Sequence, residues 1–321
     1  MRTRTIVWLC IATSLVVVGS IIFLGVMMKL NWNFMRLATT QYEQIRHEIS
    51  DEYQNISIDT NTLDIEFLPS DTDQTLVVCY EEANIKHSVT VNDGTLFIKG
   101  EDTRKWYEHI RINWGIPKLT VYLPAREYGL LSVKVTTGDT KITNDFQFES
   151  MNISSLTGDI KTAATVQGFA KLKTTTGDIR VENSSVGSLG VSVTTGDITI
   201  SSVTCEGEMT LTVDTGDAKL TDVTCESLCS NGNTGDLNLK NTVATGEFSI
   251  QRNTGDVELV GCDAAELFIE TTTGDVKGSL LSEKVFVADS DTGSVKVPVS
   301  TGGGKCKIYT NTGDIKITVQ S

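Results

Sequence analysis

Lys171-Leu172-Lys173-Thr174-Thr175-Thr176-Gly177-Asp178-Ile179-Arg180-Val181 is the stretch whose reading decides the fold. Its apolar residues alternate with polar ones on both sides of Thr176-Gly177-Asp178, as in a strand with one buried face. Across the tripeptide the parity changes: Ala170 and Leu172 precede Thr176 at even offsets, while Ile179 and Val181 follow at odd ones. A straight strand would turn its second half to solvent. The glycine must therefore bend the chain so that both halves face one interior, which its tolerance of positive φ and close backbone approach allows.

The same unit recurs along the chain. Thr-Gly-Asp begins at Thr137, Thr157, Thr176, Thr195, Thr215, Thr234, Thr254, Thr273 and Thr312, and Thr292-Gly293-Ser294 fills the remaining gap at a period of 19–20 residues. Aligned on the threonine, four columns are largely apolar. They run from Leu131 to Cys306 at −6, Val133 to Ile308 at −4, Thr140 to Ile315 at +3 and Ile142 to Ile317 at +5. Two short strands and a return loop per repeat predict an all-β, single-chain β-solenoid of about ten coils. Stacked at about 4.8 Å, ten coils give a rod on the order of 45 Å. Propeller blades are too long for this period, and leucine-rich repeats need a leucine pattern the chain lacks. A stack of antiparallel hairpins fits less well, because apolar pairs flank the corner closely on both sides.

Upstream, Ile6 to Met28 is 23 residues without a charge. As a helix it spans roughly 35 Å, enough for a bilayer core. It is longer than the apolar region of a cleaved signal peptide, which predicts a retained anchor. Arg2 and Arg4 flank one end and Lys29 and Arg36 the other. The free amino terminus then tips the short tail to the cytoplasm. The expected organisation is a cytoplasmic tail at 1–5, a transmembrane anchor at 6–28, and a juxtamembrane linker at 29–51, helical in part around Gln41–Ile49. A β-rich cap follows at 52–128 and the repeat solenoid at 129–321. Within the cap, Val89 to Ile98 around Asn92-Asp93-Gly94 reads as a hairpin. Asn55–Asp59, Leu63–Phe67, Leu76–Tyr80 and Leu119–Leu123 read as strands. Trp32, Trp106 and Trp114 are the tryptophans of the cap and its approach.

With 41 acidic against 27 basic residues the net charge is −14, which excludes nucleic acid as the main partner. All three histidines (His47, His87, His109) precede residue 110, so no histidine-based site is expected in the repeats.

The anchor, a lead-in carrying Phe67-Leu68-Pro69-Ser70-Asp71 and Val121-Tyr122-Leu123-Pro124, and the Thr-Thr-Gly-Asp-Ile repeats together resemble a bacterial β-strand-repeat family, domain of unknown function 4097. Its members often carry the label "putative adhesin". The resemblance covers residues from about 52 onward and implies a bacterial cell-envelope protein. It supplies no catalytic residue.

The aspartates Asp139, Asp159, Asp178, Asp197, Asp217, Asp236, Asp256, Asp275 and Asp314 would stack roughly 5 Å apart, where two bare charges repel by about 0.8 kcal/mol even in water. Calcium could bridge such a ladder, but the ligand set is thin for an ion needing 6–8 oxygens. The preferred reading has each aspartate accept N–H groups at its own corner, with Ser294 doing the same without charge. The threonine runs read as a solvated face. Arg180 and Arg252, the arginines of the repeats, lie four coils apart and define no lyase-like site. Of the seven cysteines, Cys205 and Cys225 share an offset in neighbouring coils, where a disulfide is conceivable. Small buried hydrophobes is the role expected of most of them. No cofactor or metal is assigned. The expected function is a membrane-anchored, extracytoplasmic binding or sensing module, not an enzyme, with a cell-wall glycan or a membrane protein as partner. A structural spacer is the alternative, and a polysaccharide-active enzyme a distant third.

Overall fold

The computed structural model describes residues 3–33, 42–82, 85–102 and 117–320. Trp106 and Trp114 lie outside the described residues. Helix α1 (Thr3–Lys29) contains Ile6–Lys29, a stretch long and apolar enough to cross a membrane. Among the described residues, every helix or strand from Tyr42 onward is a β-strand.

The strands that precede the first Thr-Gly-Asp corner's own strand are β1 (Tyr42–Ile49), β2 (Asn55–Thr62), β3 (Asp64–Pro69), β4 (Thr75–Glu82), β5 (Ile85–Asn92), β6 (Thr95–Asp102) and β7 (Lys118–Leu123). The linker around Gln41–Ile49, expected to be partly helical, is the strand β1, antiparallel to β4 with Ile45 opposite Cys79. Its alternating pattern buries more on a sheet edge than a free amphipathic turn could. β5 and β6 form the expected hairpin, with Asp93 and Gly94 both at positive φ, as a tight two-residue turn requires.

β2 and β3 form a first coil that the tripeptide search cannot see. Thr62 aligns with Thr137, so Thr62-Leu63-Asp64 is a corner with leucine in place of glycine. From there the coils stack in parallel register: Thr137 on Thr157, Thr157 on Thr176, and on through Thr254 to Thr273. Each glycine of the Thr-Gly-Asp and Thr292-Gly293-Ser294 corners has φ between 128° and 158°. A Cβ on Gly177 would lie 2.3 Å from the carbonyl oxygen of Gly158 in the coil below, so two conditions exclude a side chain here.

The return segment is a third wall rather than a loop. Seven residues after the corner threonine stand Asn183, Ser202, Asp222, Asn241 and Gly261, all with φ of 48–63°. This second corner flips the parity again. Val203, Val223, Thr242 and Cys262 then point inward, followed by Val186, Cys205, Cys225 and Ala244. Most of these left-handed residues are asparagine, aspartate or glycine, the types that tolerate this conformation best.

The interior also holds a column two residues before the corner threonine. Thr174, Thr271 and Thr310 are fully buried there, so the threonine runs are not wholly on the solvated face. Their hydroxyls donate to the carbonyls of Gly158, Gly255 and Gly274 in the preceding coil. These three buried hydroxyls thus find partners within the stack, whereas Ser155 of the same column has none among the described residues.

The last coil in sequence is not the last in space. The strand Gly304–Thr312 inserts between Glu266–Thr273 and Lys284–Thr292 and pairs with both. Ile315–Val319 likewise lies between Val276–Leu280 and Val295–Lys296. The coil carrying Thr292-Gly293-Ser294 is therefore the end of the stack.

Candidate functional site

The aspartates do form a ladder, but not with their own corners. Each Oδ1 accepts the backbone N–H of the equivalent aspartate one coil on. Asp159 bonds Asp178, Asp178 bonds Asp197 and Asp197 bonds Asp217, all at 2.8–2.9 Å. Asp139, Asp217, Asp236 and Asp256 continue the pattern. Asp64 starts it by accepting from Asp139, and Asp275 accepts from Asp314 of the inserted coil. Each N–H offsets part of the repulsion along the column. Asp275 is held below its ordinary pKa, first by the Asp314 N–H and then by Lys277 at 2.9 Å. With one oxygen committed per coil, a single carboxylate oxygen per rung is left for a cation, a sparse set for calcium. Ser294 donates its N–H to Asp314 and has no further coil to serve, so serine stands where no acceptor is needed.

Arg252 occupies the interior column, 3% exposed, with one guanidinium nitrogen 2.9 Å from Ser230 Oγ and with Nε and Nη1 unpaired among the described residues. Burial pulls its pKa down to about 10 against the fields of Asp217 and Asp236. The side chain fits because Gly232 lies beside it: a Cβ there would fall 1.5 Å from Nη1. Arg180 is paired on the surface with Glu182. Cys205 and Cys225 are buried in the same column as free thiols.

Two grooves lie on the outer face of the sheet that precedes the corners. One, of about 450 Å³, runs beside Phe169, Ser188, Gly190 and Thr210. The other, of about 390 Å³, crosses the inserted coil and is lined by Phe268, Glu270, Val287, Asp289, Lys307 and Tyr309. Here Glu270, Tyr309 and Asp289 are in register on three adjacent strands. Lys307 Nζ sits 5.8 Å from the centre of the Phe268 ring, and Tyr309 Oη donates to Asp291 at 2.9 Å. Asp291 and its acidic neighbours raise the Tyr309 pKa, keeping the phenol a donor. Two aromatic faces, two carboxylates, an ammonium and an exposed valine suit a polar ligand with apolar faces. The sequence hid this groove, because its residues meet only through the inserted coil.

The stacked corners, the three-walled interior and the outward groove define a parallel β-solenoid with its ligand-sized surface on one sheet. The chain belongs to the Toastrack DUF4097 family, whose profile matches residues 53–222 and 207–321. Solved structures of similar shape include a "putative adhesin" of Parabacteroides distasonis, 13% identical over 85% of this chain and 97% of that one, with a TM-score of 0.45. A "putative lipid binding protein" of the same species is 14% identical over 86% and 97%, with a TM-score of 0.48. A "putative adhesin" of Bacteroides fragilis is 14% identical over 86% and 97%, with a TM-score of 0.40. No curated protein matches the chain.

Proposed function

We propose that this is a single-pass membrane protein whose solenoid stands outside the cytoplasm and binds a cell-wall glycan without transforming it. The observation that carries the reading is the groove at Phe268 and Tyr309. Sugar rings offer apolar C–H faces to aromatic side chains and hydroxyls to carboxylates and amides, and Glu270, Asp289 and Gln251 supply those acceptors around the rings. The apolar helix Ile6–Lys29 supports the anchor, and the net acidity of the chain disfavours strongly anionic polymers as ligands.

The test is binding of purified cell-wall glycan to the intact protein in nanodiscs. Tyr309→Ala and Phe268→Ala should each weaken binding about tenfold or more, the loss expected of a central aromatic anchor. A spacer with no ligand would bind no glycan in any variant.

A second reading draws on one feature. The backbones of Glu270 and Asp289 lie on either side of Tyr309, two strand spacings or about 9.6 Å apart, so side chains leaning toward each other come within the roughly 6.5–9.5 Å carboxylate separation of inverting glycosidases. Release of reducing sugar ends by the intact protein, abolished in Glu270→Gln, would favour it over simple binding.

A further inference from the structure

We propose that the cap holds a Zn²⁺-class metal ion between Cys79, Glu81 and His87. Cys79 and Glu81 are alternate residues of β4 on its buried face, and His87 reaches them from β5. One ligand atom from each lies within 4.8 Å of the other two. All three side chains are enclosed, at 1%, 1% and 7% exposure.

The surroundings fit a metal site. His87 Nδ1 lies 2.6 Å from Glu81 Oε2, and its Nε2 lies 3.0 Å from Thr60 Oγ1. Such a partner on the far nitrogen fixes ring orientation and tautomer in metal-binding histidines. Gly100 leaves the space for this ring, since a Cβ there would come within 3.3 Å of Nε2. Glu81 Oε2 already accepts the His87 backbone N–H at 2.9 Å, whereas Oε1 is buried and accepts no hydrogen bond among the described residues. The cation nearest to Oε1 is Lys86, 3.6 Å away and held by Glu43 at 2.8 Å.

The donor set selects the metal. One thiolate, one imidazole and one carboxylate suit Zn²⁺ and its neighbours, while Ca²⁺ and Mg²⁺ require more oxygens. Binding releases the Cys79 thiol proton to solvent. In the metal-bound form the neutral His87 carries its proton on Nε2, donating to Thr60 Oγ1, and Nδ1 is the ligand. A dication with one thiolate and one carboxylate leaves the buried site electrically neutral, which limits the cost of enclosing it.

The test uses the intact protein in detergent, stripped with chelator and reloaded. One Zn²⁺ per chain should survive desalting, and Zn²⁺ should raise the melting temperature where Ca²⁺ does not. Co²⁺ in its place should give a near-ultraviolet thiolate-to-cobalt charge-transfer band, which reports Cys79 ligation without any variant. Cys79→Ala, a small change in a buried position, should abolish that band. Thr60→Val should weaken Zn²⁺ about tenfold, the usual effect of losing an outer-shell partner. Melting in chelator checks that the variants fold. Failure of the wild type to retain zinc, absence of the cobalt band, or undiminished affinity in Cys79→Ala would each overturn the site.

Discussion

Asp159 Oδ1 accepts the backbone N–H of Asp178 at 2.8 Å, one coil further along the stack. This bond ties each corner to the next and explains why aspartate recurs there: asparagine, serine or glutamate would each lose charge, reach or geometry. It also makes the ladder part of the scaffold rather than a free row of carboxylates.

The ladder and the Glu66 clamp should make acid stability depend on specific carboxylates. Glu66 bonds Lys118 at 2.6 Å and Lys141 at 3.0 Å, which together outweigh its burial and lower its pKa. Asp275 is lowered too. A depressed folded pKa gives stability that is fully present above the unfolded value, near 4, and is lost as pH falls through the folded one. Thermal melts from pH 6 to pH 2 should therefore show a decline below about pH 4.5, and Glu66→Gln should flatten it. An unchanged pH profile in that variant would show that the clamp does not couple to folding.

Gly232 and Arg252 should behave as a unit. Gly232→Val places a side chain on the buried guanidinium and should cost roughly 1–3 kcal/mol or more. The double change Gly232→Val with Arg252→Val rebuilds the column of Val193 and Val213 and removes a buried, half-partnered charge, so it should recover most of that loss. A thermodynamic cycle should give a coupling above about 1 kcal/mol, and simple additivity would contradict the packing described.

The thiols should differ in reactivity by position. Burial pushes Cys225 and Cys306 up to about 12 and also raises Cys205 and Cys262. Cys229 faces outward on its strand. Alkylation of the native soluble face at pH 8, read by mass spectrometry, should modify Cys229 well before these four.

Truncation should expose the order of the coils. Removing residues 304–321 deletes the layer that both Glu266–Thr273 and Lys284–Thr292 pair with. Hydrogen exchange should then show lost protection throughout 284–296, whereas loss of a true terminal repeat would leave its neighbours protected.

Much of this was legible in the sequence. The corner glycines, the apolar columns and the Asn92-Asp93-Gly94 turn follow from residue type and period alone. The second corner was written in Asn183, Asp222 and Asn241, but asparagine and aspartate also populate solvated loops, and Ser202 gives no such signal. Thr62-Leu63-Asp64 lacked the glycine that marks the other rungs. The insertion of the last coil, and with it the groove, depends on which strands pair over some forty residues, a choice that identical repeat columns do not encode. The cap cluster was hidden because Cys79, Glu81, His87 and Thr60 come together only through the β4–β5 and β2–β6 neighbourhood.

Hydrogen exchange of the intact protein in nanodiscs, with and without saturating cell-wall glycan, tests the central claim most directly. Protection should rise at the amides of Glu266–Thr273 and Gly304–Thr312, which carry Phe268, Glu270, Lys307 and Tyr309, and should not rise there in Tyr309→Ala. Glycan binding that leaves these two strands unchanged, or protects the Asp139–Asp236 corners instead, would contradict the assignment of the groove as the ligand surface.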